Sequence, residues 1–290
     1  MKPANIIALI PLFFTLSMNA MKNFKLYIAN PHFSILESKK IISNIPFLSF
    51  RTRALQEYVI DQSAQHPHYE EKYGEILNEL IKKESSLVSH LNFATPLHSA
   101  VKNNTPLLAK HLISHDNYGV HERKSNGNTP LHCITSHVKT AEIITMLMNN
   151  GAKINAQNWN HDTPLHCAPA STVSLLLKYG ADLALKNKTR FKTATITEDS
   201  STFFPICMPS IPGNLMWLYI DDEDEIEIGY EGLTPTMKAV AEGDIEKCEI
   251  LLNSNASDDK KVLQEIAAVQ YEKTKTENYQ TIKHLIDANL

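Results

Sequence analysis

Two pairs of adjacent residues with metal-binding side chains recur along the chain, His132-Cys133 and His166-Cys167. Histidine and cysteine are ligands of tetrahedral zinc, which needs four donor atoms at about 2.0–2.3 Å from one ion. The two pairs are 34 residues apart and occupy the same place in a repeated motif. Ligands one structural repeat apart are several ångströms too distant to converge on one ion. We therefore expect these residues to be structural, and we expect no metal and no cofactor.

The strongest run of charge in the sequence is acidic. It comprises Asp221, Asp222, Glu223, Asp224 and Glu225. A calcium-binding EF-hand loop needs alternating oxygen ligands, a central glycine and a bidentate glutamate at its twelfth position. Here Ile226 and Ile228 occupy positions that would have to be polar, which excludes such a loop. The run is either a solvated loop tip or an acidic docking surface for a basic partner.

No constellation of residues in the sequence predicts catalysis. Nucleophile–base pairs, phosphate-binding loops and paired carboxylates are not evident, and Cys207 lies among prolines without a placed histidine. We therefore predict a protein that is not an enzyme. An enzymatic site within residues 193–233 is the lesser alternative.

The secondary-structure elements that position these residues can be predicted from a repeated sequence motif. The tetrapeptide Thr-Pro-Leu-His begins at Thr95, Thr129 and Thr163, with a spacing of 34 residues, and Thr-Pro recurs at Thr234. A fixed period of this size indicates stacked structural repeats. Threonine can cap a helix and proline suits its first position. A second apolar stretch at helical spacing, such as residues 141–149, follows and ends at a glycine.

This pattern resembles the ankyrin repeat, in which two antiparallel helices are followed by a hairpin-like finger. Gly151-Ala-Lys-Ile-Asn-Ala-Gln-Asn is similar to the family's Gly-Ala-Asp-Val-Asn-Ala-x-Asp, and Gly180-Ala-Asp-Leu matches its start. The resemblance implies an all-α repeat solenoid of helix-turn-helix units with short fingers and helical caps at both ends. It also implies that the motif histidine bonds between neighbouring repeats.

The period predicts five segments. These are a hydrophobic leader (1–22), an N-terminal helical cap with a degenerate repeat (23–94), three ankyrin repeats (95–192), a degenerate repeat with an inserted loop and the acidic stretch (193–233), and a repeat with a C-terminal helical cap (234–290). Pro169 should end the first helix of the third repeat about one turn early. Thr234 follows Thr163 by 71 residues, about two periods, which favours one further unit between them. Residues 215–220 would be its outer helix or a strand of an extended finger, and the position of Gly232 favours the helix.

Composition limits the partners. The net charge is −4, and 24 Lys against four Arg leave few of the side chains best suited to phosphate and base-edge recognition. We therefore expect no nucleic-acid binding. The four cysteines, at positions 133, 167, 207 and 248, suit a reducing compartment. Cys133 and Cys167 should lie about 10 Å apart as repeat equivalents, beyond the reach of a disulfide, so we predict free thiols.

Localisation depends on the first residues. Residues 6–16 form an apolar run, interrupted by Pro11, that is too short to span a bilayer. With Lys2 and residues 17–20 it loosely fits a signal peptide. The other readings are a hydrophobic segment that packs on the first cap and a gene start placed too early. We expect a protein without a stable membrane span that is cytoplasmic, translocated into a host cytosol, or secreted.

The function that these features favour is a non-catalytic, monomeric scaffold that binds a protein partner through its fingertips and concave inner-helix face. The candidate contacts are Ser125, Asn126, Asn158, Trp159, Asn160 and Lys188, with residues 221–225 as a second patch. Trp159 stands out because tips are normally polar and tryptophan is enriched at binding hot spots; the alternative is that it lies over a neighbouring finger. Because the composition is rich in lysine and poor in arginine, a secreted bacterial effector that acts on a host protein is the alternative function.

One irregularity is expected in the fingers. His161 and Arg190 lie at or near the position that Gly127 and Gly232 occupy in their fingers. Glycine adopts the left-handed backbone of that position freely, whereas other residues do so at a cost. We therefore expect these two fingers to depart from regular geometry.

Overall fold

The computed structural model of the protein describes residues 19–45, 52–82, 95–115, 119–196, 216–220, 226–254 and 258–289. The chain divides into two compact units, Met1–Lys153 and Ile154–Leu290. Helices dominate both units, and one small sheet lies in the second. The predicted class, an all-α repeat solenoid, is confirmed. Within the described ranges, no helix is long and apolar enough to cross a membrane.

Before the first motif, the described residues of the first unit form four helices. These are α1 (19–28), α2 (Ile35–Asn44), α3 (Thr52–Gln65) and α4 (Glu70–Lys82), with a 3₁₀ turn at Pro67–Tyr69. The helical stripe predicted on α4 is buried at Tyr73, Ile76, Leu77, Leu80 and Ile81. This stripe packs between α3 and the following repeat, because α4 contacts both α3 and the outer helix of that repeat. Burial of apolar side chains between successive helix pairs is the main stabilising term in such a stack.

Two repeats complete the first unit. They consist of α5 (Pro96–Lys102) and α6 (Pro106–Ile113), then a 3₁₀ turn (Pro130–Cys133) and α7 (Thr140–Asn149). The second motif therefore forms a single turn in place of the helical stretch that we predicted. Helix propagation is weak at Ile134-Thr135, and the Thr135 hydroxyl donates to the carbonyl of Lys102 at 3.1 Å. That tertiary hydrogen bond holds the backbone outside a helix.

The described residues of the second unit form six helices and the sheet. Its elements are α8 (Pro164–Cys167), α9 (Ala170–Lys178), β1 (Arg190–Ile196), β2 (Met216–Ile220), β3 (Ile226–Glu231), α10 (Pro235–Glu242), α11 (Ile245–Leu252), α12 (Lys260–Thr274) and α13 (Asn278–Asn289). The strand order is β1-β3-β2, and both pairings are antiparallel. The last two helices lie in the segment that was predicted to hold a C-terminal helical cap.

The missing helical turn of the third repeat is compensated by a lysine from the next one. Helix α8 ends at Cys167, as Pro169 predicted, because proline has no N–H to continue the helix. The carbonyl of His166 then accepts a hydrogen bond of 3.0 Å from Nζ of Lys247 on α11. Lys247 is only 2% exposed, and burial lowers its pKa. The shortened repeat thus satisfies its backbone with a buried cation.

Residues 215–220 were predicted to be an outer helix or a strand of an extended finger, and the favoured alternative, the helix, is wrong for the described part. Met216–Ile220 is strand β2, paired with β3. The prediction was wrong because it assigned all the residues between the third motif and Thr234 that exceed one period to a further pair of helices. Apart from Gly232 and Leu233, the described residues of 193–233 are in strands. Their aromatic and β-branched residues have high strand propensity.

Candidate protein-interaction surface

The finger of the second repeat is a tight hairpin whose tip is residues 159–161. The N–H of Asn158 donates to the carbonyl of Asp162 at 3.0 Å, and the N–H of His161 donates back to Asn158 at 3.0 Å. His161 has φ +58°, in the region that Gly127 and Gly232 also occupy. The same closing bond joins Lys124 to Asn128 in the preceding finger. The prediction of an irregular finger at His161 is therefore wrong, because histidine accepts the left-handed conformation here.

The finger of the third repeat has the same base but a much longer tip. Asn187 donates its N–H to the carbonyl of Leu233 at 3.0 Å, as Asn158 does to Asp162. Asp162 follows Asn158 by four positions, whereas Leu233 follows Asn187 by 46. The finger is thus 42 residues longer, and the added segment is residues 190–231. Its first and last residues pair across β1 and β3, with Arg190 opposite Glu231.

The base of this insertion is anchored on the helix α12. Phe191 and Tyr230 are buried at 7% and 4% exposure, and the Tyr230 hydroxyl donates to the carboxylate of Glu265. Burial, with that hydrogen bond, raises the pKa of Tyr230. Nζ of Lys273 lies 5.6 Å from the centre of the Phe191 ring. The base of the insertion is therefore an antiparallel pair of strands, β1 and β3, that packs on α12.

Asn187 closes the insertion at its base, a role that was not predicted from the sequence. Its side-chain oxygen accepts from the N–H groups of Thr189 (3.0 Å) and Leu233 (2.9 Å). Its amide nitrogen donates to Oδ1 of Asp162 at 2.8 Å. A signal was available, because Asn187 follows Gly180 by seven positions, as Asn158 follows Gly151. Equal offsets from the glycine identify equivalent finger residues.

The predicted contact residues of the second unit divide into two kinds. Asn158 is 7% exposed, and its side-chain oxygen accepts from the N–H groups of Asn160 and Asp162 at 2.9 Å. Asn158 therefore shapes the fingertip from inside. Trp159 is 60% exposed and Asn160 and Lys188 are exposed. The N–H of Lys188 donates to the carbonyl of Asn160 at 2.8 Å, so these three residues form one surface, the Trp159 tip.

The remaining predicted contacts lie elsewhere. Ser125 and Asn126 are exposed at the tip of the finger in the first unit, where Oδ1 of Asn126 accepts from the N–H of Asn128 at 3.1 Å. The acidic residues 221–225 connect β2 to β3 in the sequence and lie outside the described residues. Glu231, at the base of the same insertion, is exposed and lies 3.9 Å from Nε of Arg190.

The motif histidines link neighbouring repeats, as the resemblance implied. Nε2 of His98 lies 2.8 Å from the carbonyl of Asn128, and Nε2 of His166 lies 2.9 Å from the carbonyl of Leu233. Each carbonyl directly precedes the next motif. The N–H and hydroxyl of Thr163 both bond to Nδ1 of His166, at 3.1 and 2.8 Å. Because Nε2 donates, Nδ1 must be the acceptor, and only the neutral ring fits.

The repeat geometry agrees with a known family over part of the chain. The chain combines a 34-residue period with histidine bonds between repeats and hairpin fingers. Residues 66–158 and 97–187 match the family model described as ankyrin repeats (3 copies). The chain contains ankyrin repeats. A comparison with curated proteins finds no significant match. The matched residues end at 187, before the insertion at residues 190–231.

The ankyrin scaffold offers little that could act as a nucleophile in the parts described. Cys133, Cys167 and Cys248 are not in disulfides. Burial raises the pKa of Cys133, and it raises that of Cys248 to about 12, so both thiols stay protonated and unreactive near neutral pH. Cys207 lies outside the described residues. In the same described part, no three His, Cys, Asp or Glu side chains are grouped as metal ligands would be.

Asn187→Ala is expected to lower the free energy of unfolding by about 2 kcal/mol, because it removes the hydrogen bond that Asn187 donates to Asp162 and the acceptor of the buried N–H of Leu233. Asn126→Ala is the matched control, since this exposed asparagine makes one side-chain bond at a fingertip; we expect a change within about 0.5 kcal/mol. Urea denaturation measures both. Equal losses in the two variants would show that Asn187 does not close the insertion.

Proposed function

We propose that the protein is a non-catalytic scaffold that binds a protein partner through its fingertips and the inner-helix face beside them. Ankyrin repeats are in general protein–protein interaction modules. The observation that carries the proposal for this chain is the Trp159 tip, a large aromatic side chain that is 60% exposed on a hydrogen-bonded hairpin. A rigid exposed tryptophan offers large apolar area to a partner at small cost in conformational entropy.

The neighbours of Trp159 support this role. Lys188 and Asn160 border the indole with a charge and an amide, which gives the tip the mixed character of a protein-binding hot spot with a polar rim. The hairpin that holds the tip is fixed by the buried Asn158 side chain. Contact through a preorganised tip costs little ordering on binding. Ser125 and Asn126 are proposed as further contacts on their own fingertip.

The insertion supplies the second proposed contact surface. Residues 190–231 extend the finger, the part of an ankyrin repeat that the family uses for recognition. Residues 221–225 follow β2 in the sequence and carry five consecutive carboxylates, so we propose that they attract a basic segment of the partner. Secretion as a bacterial effector stays a prediction from composition alone.

Trp159→Ala is expected to weaken partner binding at least tenfold, because truncation of a central hot-spot residue commonly costs more than about 1.4 kcal/mol. The partner is first captured with the full-length chain, and its affinity is then measured by calorimetry. Val138→Ala is the control, since Val138 is a fully exposed apolar residue outside the fingers. Unchanged affinity for Trp159→Ala would remove this residue from the interface.

The acidic stretch is tested separately with a chain in which the five acidic residues at 221–225 are replaced by asparagine and glutamine, which leaves β3 intact. If these carboxylates steer a basic partner, the replacement lowers the association rate and weakens its dependence on salt. An association rate that responds to salt equally in both chains would contradict an electrostatic role. This result is independent of the Trp159 outcome, so the two patches are judged one by one.

A further inference from the structure

A small pocket lies in the first unit, where the connections within three successive helix pairs come together. Its volume is about 270 Å³, and its walls belong to residues 63–70 between α3 and α4, residues 103–105 between α5 and α6, and residues 137–139 before α7. The third wall lies outside a helix, because the second motif forms only a single turn. These connections are at the opposite end of the helices from the fingers. The pocket is therefore separate from the proposed fingertip contacts.

Hydrogen bonds between the three walls fix the shape of the pocket. Nδ2 of Asn103 donates to Oδ1 of Asp61 on α3 at 2.6 Å, and Oγ1 of Thr140 lies 3.3 Å from Oδ1 of Asn104. Asn104 has φ +55°, a left-handed conformation that asparagine adopts more readily than most residues do. The pocket is therefore preformed, and a ligand that enters it has little of the protein to order.

The fixed charge of this pocket is a buried carboxylate. Glu70 is 5% exposed, and its Oε1 accepts a hydrogen bond of 3.0 Å from the N–H of Leu107, which holds the side chain in place. Its counterion is Nζ of Lys139, 3.2 Å from Oε2, but the Lys139 side chain is 49% exposed. An exposed lysine leaves such a pair at small cost, whereas the buried carboxylate stays. The pocket therefore favours a cation that takes the place of Lys139.

A second polar group of the pocket has unused hydrogen-bonding capacity. Ser63 is fully buried, and its hydroxyl makes no hydrogen bond within the part of the chain that the structure describes. A buried hydroxyl without a partner is unfavourable, so a donor that enters the pocket recovers this loss. Ala64 and Pro67 lie beside it in the same wall and offer apolar surface to a short aliphatic chain.

We propose that this pocket binds a small organic cation, a guanidinium compound with a short aliphatic chain. The cationic group displaces Lys139 from Oε2 of Glu70 and donates a further hydrogen bond to the hydroxyl of Ser63. A guanidinium group suits these acceptors, because it carries several donors in one plane and is only weakly hydrated. Its hydrogen bonds to a carboxylate are about twice as strong as neutral ones. The volume lies just below the range of about 300–1,000 Å³ of pockets for drug-sized ligands, which suits a small molecule.

The first test compares three probes with the same aliphatic chain on the full-length protein. Butylguanidinium carries a positive charge, butanol carries none, and butyrate carries a negative charge. The amide NMR signal of Leu107 reports binding, because its N–H donates to Glu70. We expect a saturable shift of this signal with butylguanidinium only. No saturable shift with butylguanidinium, equal binding of butanol, or equal or tighter binding of butyrate would each overturn the proposal.

The second test assigns the binding to named side chains. Glu70→Gln should weaken butylguanidinium binding about tenfold, because glutamine keeps an acceptor for Leu107 but loses the charge. Ser63→Ala should weaken it about threefold and leave the melting temperature unchanged, because the hydroxyl has no other partner in the described chain. Lys139→Ala should tighten binding about threefold, whereas Lys153→Ala, at an exposed position, should not change it. Unchanged binding in Glu70→Gln or Ser63→Ala, or binding in Lys139→Ala that is no tighter, would overturn the proposal.

Discussion

Lowering the pH from 7 to 5 is expected to cost about 2 kcal/mol of folding free energy at each of two buried histidines, His98 and His166. Burial lowers the pKa of each ring to about 4, from a usual value of 6.5. The folded protein therefore favours the neutral ring, and the unfolded chain takes up the proton first. The stabilisation is complete above pH 6.5 and is lost as the pH falls toward 4.

The hydrogen bonds of His166 explain why the folded state resists the proton. Nδ1 accepts two hydrogen bonds from Thr163, while Nε2 donates to Leu233. A proton on Nδ1 would place a donor against two donors in a site that excludes water. The nearby Asp162 carboxylate favours the charged ring, but burial is the larger effect. Asp258 acts in the opposite sense, because burial raises its pKa and favours the protonated carboxyl group.

Urea denaturation at pH 7 and pH 5 measures the loss, and matched variants assign it. His166→Asn keeps an acceptor near the Nδ1 position and removes the titrating ring, so it should lower stability at pH 7 and flatten the dependence on pH. His284→Gln, at an exposed position on α13, should leave that dependence unchanged. If His98→Asn and His166→Asn both retain the full loss between pH 7 and pH 5, other groups cause it.

Gly232→Ala is expected to destabilise the second unit by about 3 kcal/mol. Gly232 has φ +80°, which costs an alanine about 1 kcal/mol. In addition, the new Cβ would lie 2.9 Å from the backbone oxygen of Asn187. That oxygen belongs to the hairpin that closes the insertion and cannot move without breaking it. Such overpacking typically adds 1–3 kcal/mol.

Gly180→Ala is the control, because Gly180 has a similar φ of +86° but nothing within 4 Å of the position of a new Cβ. It should lose only the backbone term of about 1 kcal/mol. The difference between the two variants, measured by urea denaturation, isolates the close approach of Asn187. A second readout is proteolysis, since a strained base should expose residues 190–231 to cleavage. Equal losses in the two alanine variants would contradict the proposed closure of the finger.

The structural role of the motif histidines could be predicted from the sequence, whereas the surroundings of Gly232 could not. Recurrence of His98, His132 and His166 with one period predicted a structural role, and the observed bonds of His98 and His166 follow from it. The position of Gly232 was also recognised from spacing. The further repeat that this position was taken to indicate was wrong. An interval of 71 residues fits two repeats as well as it fits one short repeat with a 42-residue insertion. Only the pairing of Asn187 with Leu233 distinguishes these cases.

The candidate contact residues show the same limit. The sequence placed Asn158, Trp159 and Asn160 together on a fingertip, and all three lie there. It could not separate the buried Asn158 from the exposed Trp159, because neighbours in a turn point in different directions according to backbone dihedrals. Lys247 was overlooked for a related reason. A lysine in a helix is expected at the surface, and only the packing of α11 against α8 brings its ammonium group to the free carbonyl of His166.

The sequence by itself determined the repeat and its class, since a 34-residue period with capping residues and apolar stripes recurs only when each unit packs on the next. It also determined where the first helix of the third repeat ends, because a proline has no N–H. The tertiary structure alone decided that residues 190–231 extend one finger, which side chains close it, and which fingertip residue is exposed. Those outcomes depend on hydrogen bonds between residues up to 46 positions apart, and no local pattern in the sequence records them.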